Sequence, residues 1–257
     1  MTEAATDIAS LVHVERVLGT AVSLHVTATR PTRPLEAVVG DAVAWLHDVH
    51  GRFTTFCPGS EWLRYATGEL ALDDAHPDIR HVVNTCASLE EQTDGAFSLT
   101  ANRDRPPDPA AYVKGWALQR AAELLLVGGA ETVMVNGGGD IVVAGGGAPW
   151  RVGIQHPTKS DHVAAVVELR RGAVATSAAY ERGGHIVDPR TRSVARGWAS
   201  VTVVGPDLGV ADAFATAAFA MGRGAVEWLE HLDLPYSGYF IDDEARSSAT
   251  GFGTRGR

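Results

Sequence analysis

Asn136-Gly137-Gly138-Gly139-Asp140, set between the apolar runs 132–135 and 141–144, decides the fold class of this chain. A glycine-rich segment after a strand can open a dinucleotide-binding βαβ unit, but that requires GxGxxG running into a helix. Here a second Val/Ile run follows at once, and Asn-Gly is a strong hairpin signal. The stretch reads as a turn between two strands, and a Rossmann unit is excluded. Its three glycines permit positive φ and let a ligand come close to main-chain N–H groups.

Downstream of this turn, Val- and Ile-rich strands are predicted at 150–155, 163–169, 173–176 and 199–204, bounded by glycine as in a substantial sheet. Small apolar residues over 210–221 predict a buried helix. Another helix over 225–232 and a last strand at 239–241 follow, and the Ser/Gly/Arg-rich tail over 246–257 is expected to fray. Upstream, 12–26 is strand-like and breaks at Leu18-Gly19-Thr20. Leu35, Val38, Val39, Ala42, Val43, Leu46 and Val49 recur at helical spacing behind Pro34. A loop rich in aromatic and hydroxyl residues spans 52–60, and a second helix covers 77–92, stopping at Asp94-Gly95. Asp108 as N-cap and Pro109 in the first turn open a third helix that runs to Val127. Helices, then a block of strands, then a helix predict an α+β fold in a single domain over 1–257, with no repeat and no linker.

The 257 residues are 45% hydrophobic and 21% charged, enough for a full core. A net charge of −9 argues against a nucleic-acid partner. Cys57 and Cys86 form neither a disulfide framework nor a metal clip, and both are expected to be buried or half-buried. The first residues lack a basic start and an apolar core, and no uncharged run approaches a bilayer span, so a cytoplasmic protein without membrane insertion is expected.

Three stretches carry chemistry. The polar segment 176–191 holds His185, whose side chain can exchange a proton near neutrality, and ends at Asp188-Pro189. Asp212 and Thr216 stand at i and i+4 of an otherwise apolar helix, placing two hard oxygens on one face. That pair suits Mg²⁺, which keeps waters and phosphate oxygens as its other ligands; an N-cap aspartate with a back-bonded threonine is the alternative. Lys114-Gly115-Trp116 puts a glycine inside the third helix at a cost of about 1 kcal/mol relative to alanine, which points to close access at that place; a solvated lysine beside a helix-packing glycine is the alternative.

In order along the chain, Leu18-Gly19-Thr20, Ser60-Glu61, Gly95-Ala96-Phe97, Lys114-Gly115-Trp116, the Asn136–Asp140 turn, Gln155-His156-Pro157, Ala175-Thr176-Ser177, His185-Ile186-Val187-Asp188-Pro189-Arg190-Thr191 and Ala211-Asp212-Ala213-Phe214-Ala215-Thr216 together resemble the ApbE family of FAD:protein FMN transferases. The resemblance covers about 10–222. It implies an α+β unit of two intimate subdomains, with a mixed, mostly antiparallel sheet and packed helices, holding FAD between them. It further implies Mg²⁺-dependent transfer of FMN from FAD to a Thr or Ser hydroxyl of an acceptor protein, with release of AMP. On this resemblance the metal ligands are Asp212, Thr216 and the main-chain carbonyl of Ala111, with Asp212 and His185 the catalytic pair and His185 the base. FAD contacts fall on Leu18, Phe56, Ala96, Phe97, Ser98, Asp108 and Lys114. Further contacts come from Asn136, Gly138 and Asp140 of the glycine turn, and from His185, Ile186, Val187 and Asp188.

The chain departs from the family pattern at several points. Leu18 replaces a methionine, Phe56 a tyrosine, Ser98 and Gln119 replace aspartates, and Ala178 replaces a glycine. Loss of aspartates near FAD keeps two alternatives beside FMN transfer: a Mg²⁺-dependent FAD pyrophosphatase giving FMN and AMP, and a non-catalytic FAD-binding protein.

Overall fold

The computed structural model describes residues 8–102, 104–179 and 186–251. Its centre is an eight-stranded sheet in the order β1 (Ala9–Val17), β2 (Thr20–Ala28), β3 (Thr132–Gly137), β4 (Asp140–Gly145), β7 (Gly172–Ala178), β10 (Ser200–Gly205), β11 (Ser237–Ile241) and β12 (Ser247–Thr250). Between β4 and β7 the chain leaves to form a separate hairpin, β5 (Trp150–His156) and β6 (Lys159–Leu169). Between β7 and β10 it forms the short pair β8 (Val187–Asp188) and β9 (Ser193–Val194). Every pairing among the described residues is antiparallel, in keeping with hairpin connections rather than βαβ crossovers.

The glycine stretch is a hairpin turn, as expected. Gly137 pairs with Asp140, leaving Gly138 and Gly139 as a two-residue loop at φ 67° and 95°. Beside it, Val17 pairs with Thr20 across Leu18 and Gly19, at φ 55° and 75°. Both loops therefore have the positive φ at both positions that type I′ hairpins require. Leucine is a costly residue there, and its left-handed backbone is held by a nine-residue strand pairing.

Six α-helices are described: α1 (Leu35–Phe53), α2 (Glu61–Ala66), α3 (Pro77–Gln92), α4 (Ala110–Val127), α5 (Leu208–Met221) and α6 (Ala225–His231). α4 and α5 pack on one face of the sheet, on β3, β4, β7 and β10, and α1 packs on α4. Alternation along the strands sends Val133, Val135, Val142, Val201 and Val203 into this core, against Leu118, Leu125 and Phe214. Asp207 caps α5 through Val210 N–H, 2.9 Å. The N-cap of α4 is Pro109 rather than Asp108; Asp108 still accepts from Ala110 N–H at 3.0 Å, one position further out.

Helix α2 and strand β12 are among the elements that differ from expectation. The helix α2 is held by tertiary bonds, Trp62 being fully buried and donating from Nε1 to Pro107 O at 2.8 Å. Within the expected frayed tail, 247–250 forms edge strand β12 instead. The buried Asp242 fixes the turn before it, accepting from Arg246 N–H (2.9 Å), Arg246 Nε (2.9 Å) and Arg223 Nη2 (3.2 Å). Cys86 is buried, but Cys57 is exposed, contrary to expectation, because it sits on the loop after α1.

Where α1, α2 and α3 meet, Arg52 is 12% exposed and faces Asp48 (2.8 Å), Asp78 (2.8 Å) and Glu61 (3.6 Å). Removing this guanidinium leaves three carboxylates facing one another. Arg52→Met is expected to lower the unfolding free energy by about 2–4 kcal/mol, read from the urea midpoint. Loss of less than about 0.5 kcal/mol would mean that Asp78 and Glu61, the two less exposed carboxylates, are solvated enough to stand without the guanidinium.

Candidate active site

The two type I′ turns lie side by side at one end of the sheet. A Cβ added at Gly138 would stand 2.9 Å from Thr20 Oγ1, so only glycine allows the turns this proximity. Asn136 braces its own turn by accepting from Gly139 N–H at 3.0 Å. Asp140 begins β4 beside this turn, nearly buried, with Oδ1 accepting from Thr176 N–H at 3.1 Å.

Above this end lie the first turns of α4 and the middle of α5. Lys114 reaches out from α4, pairing its Nζ with Asp140 and standing 3.8 Å from Asp212 Oδ2. The side chains of Asp140 and Asp212 are 2% and 6% exposed and that of Lys114 is 27%, so the ammonium lies between two carboxylates withdrawn from water. One helical turn beyond Asp212, Thr216 Oγ1 meets Ser177 Oγ of β7 at 3.2 Å. On the neighbouring strand pair Thr176 Oγ1 meets Thr202 Oγ1 at 2.9 Å. The helices come this close because Gly115 faces Gly209: a Cβ at 115 would lie 2.5 Å from Leu208 O and 2.9 Å from Gly209 Cα. Gly115 is thus a helix-packing glycine, the alternative to close access, with the main chain of α5 as its neighbour. Gln119, one turn further on, accepts from Leu208 N–H at 3.3 Å and so serves the start of α5.

The remaining candidates fall on loops around this end. Ala96 and Phe97 are buried, and Thr93 holds their loop by accepting from Phe97 N–H at 3.1 Å. Ser98 bonds locally to Thr100, and Asp108 N–H donates to Leu99 O at 2.8 Å, bringing this loop against the entry to α4, which carries Ala111. Asp188 of β8 is bound by Arg190 through Nε (2.9 Å) and Nη2 (3.0 Å). The hydrogen bonds from Arg190 hold its carboxyl below the usual carboxylate range. Arg190 lies over Gly95, joining the 186–190 segment to the 94–98 loop. Ile186 packs on the core edge and Val187 is half-buried beside it. Phe56 is 93% exposed, on a loop closed by Ser60 Oγ donating to Thr54 O at 2.7 Å. His185 lies outside the described residues.

Ser177 and Thr176 were not singled out as site residues by sequence. Their place in the Thr-Ser pair before Ala178 carried a signal, but which hydroxyl or amide each would meet depends on strand register. Burial of an oxygen-only set, one carboxylate with a hydroxyl one turn on, suits a hard cation such as Mg²⁺. Among the described residues no group of three or more His, Cys, Asp and Glu could hold a metal, so a cation here would draw on main-chain, phosphate or water oxygens as well.

Glycine turns that expose backbone, an ammonium between buried carboxylates and hydroxyls behind them thus gather at one end of an antiparallel sheet in an α+β fold. The chain belongs to the ApbE family, whose profile matches residues 107–237, half of its length. It is 38% identical over 157 residues to the FAD:protein FMN transferase of Rhodobacter capsulatus, a match covering 55% of this chain and 30% of that protein. The chain spans less than a third of the length of the curated relatives it matches. In fold it is similar to the ApbE protein of Thermotoga maritima, with TM-score 0.82, 22% identity, and 95% and 97% of the two chains covered. It is likewise similar to the flavin transferase ApbE from Vibrio cholerae, with TM-score 0.81, 21% identity, and 95% and 98% covered. No helix among the described residues is long and apolar enough to cross a membrane.

Proposed function

We propose that this protein transfers FMN from FAD to a threonine or serine hydroxyl of an acceptor protein, with Mg²⁺ as the metal. The acceptor oxygen attacks the phosphorus on the flavin side of the pyrophosphate, the bridging P–O bond breaks, AMP leaves, and the hydroxyl proton passes to a base. The observation that carries this reading is Lys114 set between Asp140 and Asp212, with Thr216 beside them, in a member of a family with FMN transferases. Such a reaction depends on positioning and charge neutralisation more than on covalent help.

Each residue then has a task. Gly138 and Gly139 leave their turn without side chains where the nucleotide comes closest. Lys114 offers positive charge to the phosphates, and Asp108 stands at the entry to α4. Phe56, exposed on its anchored loop, is available to cover an aromatic ring. His185 is the base assigned by its motif. Asp212, Thr216 and the Ala111 carbonyl would hold Mg²⁺, which when bound neutralises charge building on the pyrophosphate. At the two departures from the family pattern, Gln119 is engaged with the start of α5 and Ser98 with Thr100.

The test is mass spectrometry of an acceptor domain bearing a flavinylation threonine, incubated with this protein, FAD and Mg²⁺, beside a control with chelator. An FMN-sized mass gain that requires metal is expected. Release of FMN and AMP without the gain would make the protein a pyrophosphatase, and intact FAD throughout would make it a flavin holder.

A further inference from the structure

Lys114 stands where a divalent cation would exert its charge. Its ammonium contacts Asp140 and is 3.8 Å from Asp212 Oδ2, and both carboxylates are almost wholly out of water. Two buried carboxylates that close to one another repel unless a cation lies between them, and a tethered ammonium meets that need without any bound ion. The pairing is asymmetric. Asp140 is fixed on its other oxygen by Thr176 N–H and takes the close contact, whereas Asp212, on the face shared with Thr216, takes the longer one.

We infer that Lys114 is a built-in counter-cation that competes with the divalent metal for Asp212, and that Asp140 is the positioning residue that draws the ammonium aside. The inference rests on the reading of Asp212 and Thr216 as metal ligands. In the metal-free protein the ammonium offsets one of the two carboxylate charges and screens their mutual repulsion, so that α4, α5 and the Asp140 turn stay assembled. When a divalent cation arrives at Asp212, like charge pushes Lys114 toward Asp140 and outward, where it faces the ligand phosphates. Asp140 thereby decides how much of the lysine charge the metal must work against.

Two substitutions around one ammonium should move metal affinity in opposite directions. Lys114→Met removes the competitor, and Mn²⁺ titrated into the full-length protein and followed by electron paramagnetic resonance should bind about tenfold tighter. Asp140→Asn returns the ammonium to Asp212, and Mn²⁺ should bind about tenfold more weakly. The melting temperature adds a readout independent of turnover. Without metal, Lys114→Met should melt below the wild type, and saturating Mn²⁺ should raise its melting temperature by more than it raises that of the wild type. Should Lys114→Met fail to fold, Asp140→Asn with its weakened binding still carries the test. Both variants binding Mn²⁺ as the wild type does, while the wild type transfers FMN, would overturn the counter-cation role and leave the proposed function intact. Absence of Mn²⁺ binding by all three proteins would overturn this inference and the metal reading together.

Discussion

Asp212→Asn is expected to reduce FMN transfer by about 10²–10³-fold while leaving the fold intact. The substitution is isosteric, and the side chain is 6% exposed on a helix that otherwise buries Leu208, Gly209, alanines, Phe214 and Phe219, so packing is unchanged. Lys114 keeps its contact with Asp140, so the ammonium is not stranded. What disappears is the one anionic oxygen donor on the Thr216 face of α5. A parallel change, Thr216→Val, removes a weaker neutral donor together with the Ser177 contact, and the loss of transfer should be smaller. Measured by the same mass gain at saturating FAD, an Asp212→Asn rate within a factor of three of wild type would remove Asp212 from the catalytic machinery.

How far this site can be read without coordinates differs from residue to residue. Asp212 and Thr216 were legible as a pair because helical periodicity alone puts i and i+4 on one face. The glycine turn was legible because its neighbours are apolar runs with no helix between them. The contact between Lys114 and Asp140 was not, since it joins a helix to a strand across a sheet whose register no local pattern specifies. The same holds for Ser177 beside Thr216. Among the elements, α1 and α3 declare themselves by apolar spacing and α4 by the signals at its start, whereas six-residue α2 depends on Trp62 reaching Pro107. Strand β12 carries a single β-branched residue, Thr250, behind Ser247, Ser248 and Ala249, and is set by the Asp242 turn before it and by Gly238 N–H donating to Thr250 Oγ1 at 3.1 Å. Local propensity cannot report an element whose cause lies elsewhere in the chain.

The glycine of the Lys114-Gly115 pair gives the second large effect, and one control isolates its cause. In an exposed helix, Gly→Ala is stabilising by about 0.5–1 kcal/mol, because glycine loses more backbone freedom on folding. Gly40 of α1 is such a position: it is exposed, and an added Cβ meets nothing within 4 Å. Gly40→Ala should therefore raise the urea midpoint. At Gly115 the same Cβ would meet Leu208 O at 2.5 Å, Leu208 C at 2.8 Å and Gly209 Cα at 2.9 Å, all main-chain atoms that cannot rotate aside. Gly209 is blocked in turn, its own Cβ falling 2.8 Å from Tyr112 Cε2 and 3.1 Å from Trp116 N. Relief requires α4 and α5 to separate. Gly115→Ala should destabilise by about 1–3 kcal/mol despite its helix propensity, and Gly115→Val by more. Because Lys114 and Asp212 ride on the two separating helices, a shift near 1 Å should also cost about 10²-fold in FMN transfer. Opposite signs for one substitution in two helices would identify the α4–α5 contact as what sets the distance between ammonium and carboxylate. Equal stabilisation at both positions would mean that the helices have room to spare.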